Sequence, residues 1–296
     1  SCDTTISVTI GEPLPVSLVI NTNNSFCGTP SGQACVTVTD GVSPFTFSWS
    51  DAQTTQCAGN LVPGSYSVTV TDFNGCTAGA SGTVNNTAAG TASISNLVND
   101  SCNGSCKGSA TVSMSGSGAT PFTYLWSNGS DSVTATGLCA GIYIITVTDA
   151  QLCVSTATAI ITEPSPLTTT TSVIDALCNG ACSGSATVSP TGGTSPYAYL
   201  WNDVLAQTTA TATGLCAGNY SVMITDVNNC TVTANVTIVQ PTVLQLSSTV
   251  FDANCGQPNG NACVVVSGGI SPYSYLWSGG ETNQCLNNVT SGNYNI

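Results

Sequence analysis

The 296-residue chain has no histidine, no arginine and a single lysine, Lys107. Fourteen acidic residues stand against that one cation, for a net charge of −13. A surface so poor in cations cannot neutralise a row of phosphates, which excludes nucleic acid as a partner. Anionic membrane surfaces are excluded on the same ground. With no histidine and one lysine, no base is at hand to activate the many serines and threonines as nucleophiles. Paired carboxylates can hydrolyse glycosides, but the acids here recur at turn positions, so no enzyme is expected. Apolar runs long enough to span a bilayer are missing too, so no membrane insertion is expected of this segment. The opening Ser-Cys-Asp-Thr-Thr lacks the basic start and apolar stretch of a secretion signal. Charged residues make up only 5% of the chain, yet an apolar share of 41% argues for a folded protein rather than a disordered one.

What the chain has is repetition. Trp49, Trp126, Trp201 and Trp277 lie 77, 75 and 76 residues apart, and Tyr66, Tyr143, Tyr220 and Tyr294 lie 77, 77 and 74 apart. A period that regular marks equal modules strung end to end, and the chain reads as a rod. The copies are expected at 14–90, 91–165, 166–241 and 242–296, the last truncated. Residues 1–13 repeat the pattern of Cys230 to Pro241 and read as the last strand of a preceding copy. The chain is therefore expected to be a window on a longer polymer of the same repeats, or to take its missing strand from a neighbour. Almost no linker separates the copies: Ile161 to Pro166 and Val239 to Pro241 pass from strand to strand, stiffened by proline.

Within the third copy, Gly184-Ser-Ala-Thr-Val-Ser, Tyr197-Ala-Tyr-Leu-Trp201, Thr208-Thr-Ala-Thr-Ala-Thr, Tyr220 to Asp226 and Thr231 to Ile238 are short, rich in β-branched or aromatic residues, and bounded by Gly, Asn, Asp or Pro. Tyr220, Val222 and Ile224 share one face while Ser221 and Thr225 take the other, so that strand is half buried. Helical periodicity appears nowhere. Six or seven such strands in about 76 residues predict an all-β fold, a small two-sheet sandwich per copy. Thr213 to Tyr220 resembles the crossing between strands E and F of fibronectin type III and PKD-like domains, whose tyrosine anchors the corner. By that Ig-like resemblance the strands are A, B, C, E, F and G, with room for a short C′ after Trp201.

Four motifs recur between copies: Cys-Asn-Gly…Gly-Ser-Ala-Thr-Val (Cys102 to Val112, Cys178 to Val188), Pro-Tyr-x-Tyr-Leu-Trp (Pro196 to Trp201, Pro272 to Trp277), Gly-Leu-x-Ala-Gly-x-Tyr (Gly137 to Tyr143, Gly214 to Tyr220) and the turn from Thr225 to Cys230. On these residues the module as a whole resembles the SprB repeat of cell-surface adhesins of gliding Bacteroidota. The resemblance covers nearly the whole chain. It implies an extracellular tandem array with a structural or adhesive role, in a gliding-motility adhesin or a filament. A polysaccharide-binding array and the stalk of a secreted enzyme are the alternatives.

Sixteen cysteines in four small modules point to disulfides in an oxidising compartment. Zinc is the rival for Cys102/Cys106 and Cys178/Cys182, but histidine is absent and the other copies break that spacing. Copies two and three carry cysteines at 106 and 139, and at 182 and 216, whereas copies one and four carry them at 35 and 57, and at 263 and 285. Aligning Gly32-Gln-Ala-Cys35 on Gly108-Ser-Ala-Thr111, and Leu61 to Gly64 on Leu138 to Gly141, moves both cysteines together along strands B and E. The expected bonds are therefore Cys35–Cys57, Cys106–Cys139, Cys182–Cys216 and Cys263–Cys285, each contributing ~3–4 kcal/mol. The remaining cysteines flank the A–B and F–G turns, at opposite poles of a sandwich of this order, so bonds within one copy are strained. Two schemes stay open: staples between neighbouring copies, Cys27–Cys153 and Cys102–Cys230, or the pairs Cys27–Cys76, Cys102–Cys153 and Cys178–Cys230.

Asp149 and Asp226 open F–G turns, while Asp100 and Asp175 precede the first cysteines of their copies. Turn capping is the ordinary role of such aspartates. Where poles of neighbouring copies meet, the two sets approach each other and become a candidate Ca²⁺ site, the one cofactor to consider. Phe45/Phe47/Trp49 and Phe122/Tyr124/Trp126 line one face of strand C, as a sandwich core or as a platform for surface polysaccharide. Asp131-Ser132-Val133 and Asp3-Thr4-Thr5 resemble the O-glycan acceptor pattern of Bacteroidota, which makes Ser132 and Thr4 candidates.

Overall fold

The computed structural model describes residues 2–296, and among the described residues it is built of strands with no helix. No helix is therefore long and apolar enough to cross a membrane. The backbone divides into two units: residues up to Asn99 with Cys106–Thr162, and Asp100–Ser105 with Glu163–Ile296.

In chain order the first unit carries β1 (Leu18–Asn23), β2 (Ser25–Phe26), β3 (Gly32–Val38), β4 (Thr46–Trp49), β5 (Cys57–Leu61), β6 (Gly64–Thr71), β7 (Thr77–Val84) and β8 (Asn86–Thr87). It continues with β9 (Thr91–Val98), β10 (Gly108–Ser115), β11 (Thr123–Trp126), β12 (Thr134–Leu138), β13 (Gly141–Thr148) and β14 (Val154–Ile161). These make two sandwiches of paired three-stranded antiparallel sheets: β1-β3-β5 with β4-β6-β7, and β9-β10-β12 with β11-β13-β14. The second unit repeats the plan in β15 (Thr168–Ile174), β16 (Gly184–Thr191), β17 (Ala198–Trp201), β18 (Thr211–Leu215), β19 (Gly218–Thr225) and β20 (Thr231–Ile238). It ends in one sheet of β21 (Gln245–Phe251), β22 (Gly260–Ser267) and β23 (Cys285–Val289).

Each sandwich is an Ig-like arrangement, with A, B and E in one sheet and C, F and G in the other. Alternation dictates which face is buried. Along β19 and β20, Val222, Ile224, Ala234, Val236 and Ile238 turn inward, while Asn219, Met223, Asn235 and Thr237 face out. They meet Ala186, Val188, Ala212 and Leu215 from the facing sheet and Trp201 from β17 of their own, with Tyr197, Tyr199 and Tyr220 packed at the margin. Full burial of a Val, Leu or Ile contributes roughly 1.5–3 kcal/mol, and about ten small residues make a thin core, so covalent bonds matter here.

The tryptophan does two jobs. Trp201 is 1% exposed, and its indole N–H donates to the Thr209 carbonyl at 2.9 Å, tying the C strand to the approach of E. Trp49, Trp126 and Trp277 donate in the same way to Thr55, Ser132 and Asn283. The corner tyrosines are equally regular, with Tyr66, Tyr143, Tyr220 and Tyr294 donating to the carbonyls of Val62, Cys139, Cys216 and Thr290 at 2.9–3.1 Å.

Two regions lie outside the regular ladders. The C′ strand after Trp201 does not form, because Asp203 holds residues 203–207 in a turn, accepting from the backbone N–H of Leu205 and Gln207 and from Gln207 Nε2. Residues 2–17 join no sheet, and Ile6, Val8 and Ile10 stand 87%, 80% and 93% exposed. A last strand takes its ladder from the F strand beside it, as β14 does from β13.

Candidate functional site

No cluster of catalytic or metal-ligating side chains forms a site; among the described residues no group of three or more His, Cys, Asp or Glu converges. What the fold builds, on paired strands and at the turns between strands, is a cysteine framework.

Four bonds close within sandwiches. Cys35 and Cys57 stand directly opposite in the β3–β5 ladder and are bonded, and Cys263 and Cys285 do the same between β22 and β23. Cys106–Cys139 and Cys182–Cys216 instead join the turn before the B strand to the corner after E. Two further bonds pass from one sandwich to the next in sequence: Cys27–Cys153 in the first unit and Cys102–Cys230 in the second, with Cα atoms 5.5 and 5.7 Å apart. Cys76 and Cys178, which the competing scheme needs, are unbonded.

Local chemistry presents these cysteines. After the F strand, an aspartate and the cysteine four residues on form a closed turn. Asp226 Oδ1 accepts from the N–H of Asn228 and of Cys230, both at 2.9 Å, and the Asp226 N–H donates to the Cys230 carbonyl. Asp226 Oδ2 reaches back to the Thr194 N–H at 2.9 Å, fastening the turn to the B–C connection. Asp149 serves Gln151, Cys153 and Ala119 identically, and Asp72 serves Asn74, Cys76 and Val42. Burial pushes the Asp226 carboxyl up, but the backbone N–H groups of Cys230, Thr194 and Asn228 more than reverse this, leaving it below its ordinary value. Asp72 is lowered by the same balance.

The opposite partner sits before the B strand, in a turn that grips the end of its own sandwich. Beside Cys102, Asn103 Nδ2 donates to Glu163 Oε1 at 2.9 Å and to the Pro164 carbonyl at 3.2 Å, while the Gly104 N–H reaches Glu163 Oε2. Gly104 has φ 70°, a left-handed conformation that glycine adopts without strain. Beside Cys27, the Gly28 N–H donates to Asn86 Oδ1 at 2.8 Å, and β2 pairs in parallel with β8. The facing turn adds a bond from Asn228 Nδ2 to the Ser101 carbonyl at 3.2 Å. The Cys-Asn-Gly motif is thus the device that orients the cysteine, a role local sequence pattern does not reveal.

The other candidates are placed as follows. Asp149 and Asp226 already face three N–H donors each, an environment that suits an anion cap rather than a cation. Asp100 is buried and accepts from Ser105 Oγ, while Asp175 is exposed and caps the Val239 N–H at 3.0 Å. The aromatic stripes point inward: Phe45, Phe47, Phe122 and Tyr124 pack against the cores. Ser132 and Thr4 are both exposed.

Comparison with known proteins places this framework in a family. The SprB repeat model matches residues 94–131, 170–206 and 247–282. Those three stretches of the chain are SprB repeats. A search of curated protein sequences finds no match. Among solved structures, the chain is similar to a tetra-tandem repeat from the extending region of a large adhesion protein, at 15% identity over 93% of this chain and 91% of that one, TM-score 0.28. It is also similar to the Escherichia coli adhesin FdeC, at 16% identity over 77% and 100%, TM-score 0.26. The eight N-terminal Ig domains of Down Syndrome Cell Adhesion Molecule share 10% identity over 76% and 42%, TM-score 0.32. Superpositions this loose transfer no residue's role.

Proposed function

We propose that these SprB repeats have an extracellular structural and adhesive role, as a segment of a long, disulfide-stapled cell-surface adhesin or filament of the gliding-adhesin type. The observation that carries this reading is the pair of bonds running from one sandwich to the next, Cys27–Cys153 and Cys102–Cys230. A catalyst has no need of such bonds, whereas a chain under tension does, because they keep a junction closed when the strands on either side are pulled. Six disulfides also require an oxidising compartment, which the cell exterior provides.

The partners in this reading are further copies of the same repeat. Recognition of surface polysaccharide is less well supported, because the aromatic rings that would stack on sugars are spent in the cores. The family is one of repeats, and no catalytic role is proposed. Immunogold electron microscopy of the producing cells tests the reading: label on surface tufts or filaments is expected, and label confined to the cell interior refutes it. A glycan array on the purified chain should give background signal alone.

A further inference from the structure

Four cysteines, Cys2, Cys76, Cys178 and Cys255, are exposed and unbonded. They fall into the two classes that the staples join. Cys178 and Cys255 precede a B strand, as Cys27 and Cys102 do; Cys2 and Cys76 hold the place of Cys153 and Cys230. Both staples join the first class in one sandwich to the second class in the next, across 126 and 128 residues. Applied to the unbonded four, that offset puts their partners about 127 residues after Cys178 and Cys255 and as far before Cys76 and Cys2, always outside residues 1–296.

The turns carrying two of these thiols, Cys178 and Cys76, are already set for bonding. Asn179 Nδ2 donates to the Pro241 carbonyl at 3.0 Å and the Gly180 N–H to Gln240 Oε1 at 2.7 Å, the grip that Asn103 and Gly104 exert beside Cys102. The Cys76 N–H donates to Asp72 Oδ1 at 2.8 Å, as those of Cys153 and Cys230 do to Asp149 and Asp226. The groove beside Cys102 is walled by Asn103, Pro166 and Leu167 and, from the bonded turn, by Cys230 and Thr231. The matching groove beside Cys178 is walled by Leu177, Asn179, Leu244, Ile270 and Tyr273.

We infer that Cys178 and Cys255 are the leading halves, and Cys76 and Cys2 the trailing halves, of further staples to adjoining modules of the same kind. Leading halves bond trailing halves only, so the bond extends the array in one direction. This deepens the extracellular reading, on which it rests for an oxidising environment. In forming each bond, two thiols give up two protons and two electrons, which a disulfide oxidant such as glutathione disulfide accepts as it becomes two thiols.

The test uses the purified 296-residue chain with its six bonds intact, held in a glutathione redox buffer at low and high concentration. Cross-linked species are resolved without reductant, and linked peptides from a pepsin digest are identified by mass spectrometry. Links between Cys178 or Cys255 of one copy and Cys2 or Cys76 of another are expected. The double variant Cys178→Ser, Cys255→Ser should lose them while keeping its thermal melt. In material from the producing cells, a link from Cys178 to a cysteine about 127 residues further along the same polypeptide assigns the partner to the continuing chain. A link there to Cys2 or Cys76 of another copy assigns it to a second molecule. Like-with-like links, a bond between Cys76 and Cys178 of one copy, or free thiols at these positions in the native material overturn the inference. Failure on the purified chain leaves surface localisation untouched, and a protein found only inside cells would overturn localisation without changing the in vitro links.

Discussion

Pulling on the chain distinguishes the two bonding schemes by length. In the reduced protein, 203 residues separate Cys27 from Cys230, and at about 3.5 Å per residue they extend to roughly 700 Å. In the oxidised protein the shortest covalent path crosses from Cys27 to Cys153, runs back to Cys139, crosses to Cys106, runs back to Cys102 and crosses to Cys230. That path holds about 18 residues, the 14 from Cys153 to Cys139 and the four from Cys106 to Cys102, so this stretch extends to only about 80 Å even when fully unfolded. Pairing within modules, as Cys27–Cys76, Cys102–Cys153 and Cys178–Cys230, leaves about 51 residues on the path and an extension near 200 Å. Single-molecule force spectroscopy with handles at the termini, with and without reductant, reads this difference. We expect reduction to release about 185 residues of contour from this stretch, plus the 22 spanned by Cys263–Cys285. A release nearer 150 from the stretch means that the staples are wrongly assigned, and no release means that the bonds are absent.

Other perturbations probe the modules themselves. The Asp72 and Asp226 carboxyls titrate below their ordinary value when folded, so their contribution is present above the unfolded aspartate pKa near 3.9 and is lost as pH falls through the lower folded value. Melts at pH 5, 4, 3 and 2 should show the midpoint dropping below pH 4, and Asp226→Asn should flatten the fall in the third sandwich. Asp226→Ala strips three N–H groups of their acceptor and should cost at least about 2 kcal/mol in urea unfolding. At Gly184 an added methyl meets Ile238 Cγ2 at 2.6 Å and the carbonyls of Leu215 and Ile174 at 3.0 and 3.2 Å. Gly184→Ala should therefore destabilise by about 1–3 kcal/mol, and an unchanged melt contradicts that packing. Tyr220→Phe loses one hydrogen bond to the Cys216 carbonyl and should cost only about 0.5–1.5 kcal/mol in the same assay.

How much of this is legible in the sequence depends on the distance over which each feature acts. The alternation of Tyr220, Val222 and Ile224 is local, and it fixes strand and buried face together. The Asx turn at Asp226 is equally local, but its third bond, to the Thr194 N–H, comes from 32 residues away and leaves no local trace. The same holds for Asn103 on Pro164 and Asn179 on Pro241, across 61 and 62 residues: the Cys-Asn-Gly motif is visible, and its purpose is not. Ser43-Pro44, Thr120-Pro121, Ser195-Pro196 and Ser271-Pro272 are all cis, which the dipeptides do not reveal. The paired displacement of Cys35 with Cys57 is readable because one copy serves as a ruler for another, whereas the outer cysteines keep their places in every copy and offer no such contrast.

The central claim is that disulfides run from one sandwich to the next. Non-reducing digestion of the oxidised chain, with linked peptides identified by mass spectrometry, tests it most directly. The account predicts peptides joining Cys27 to Cys153 and Cys102 to Cys230; peptides joining Cys27 to Cys76 and Cys102 to Cys153, or thiols free at all four positions, contradict it.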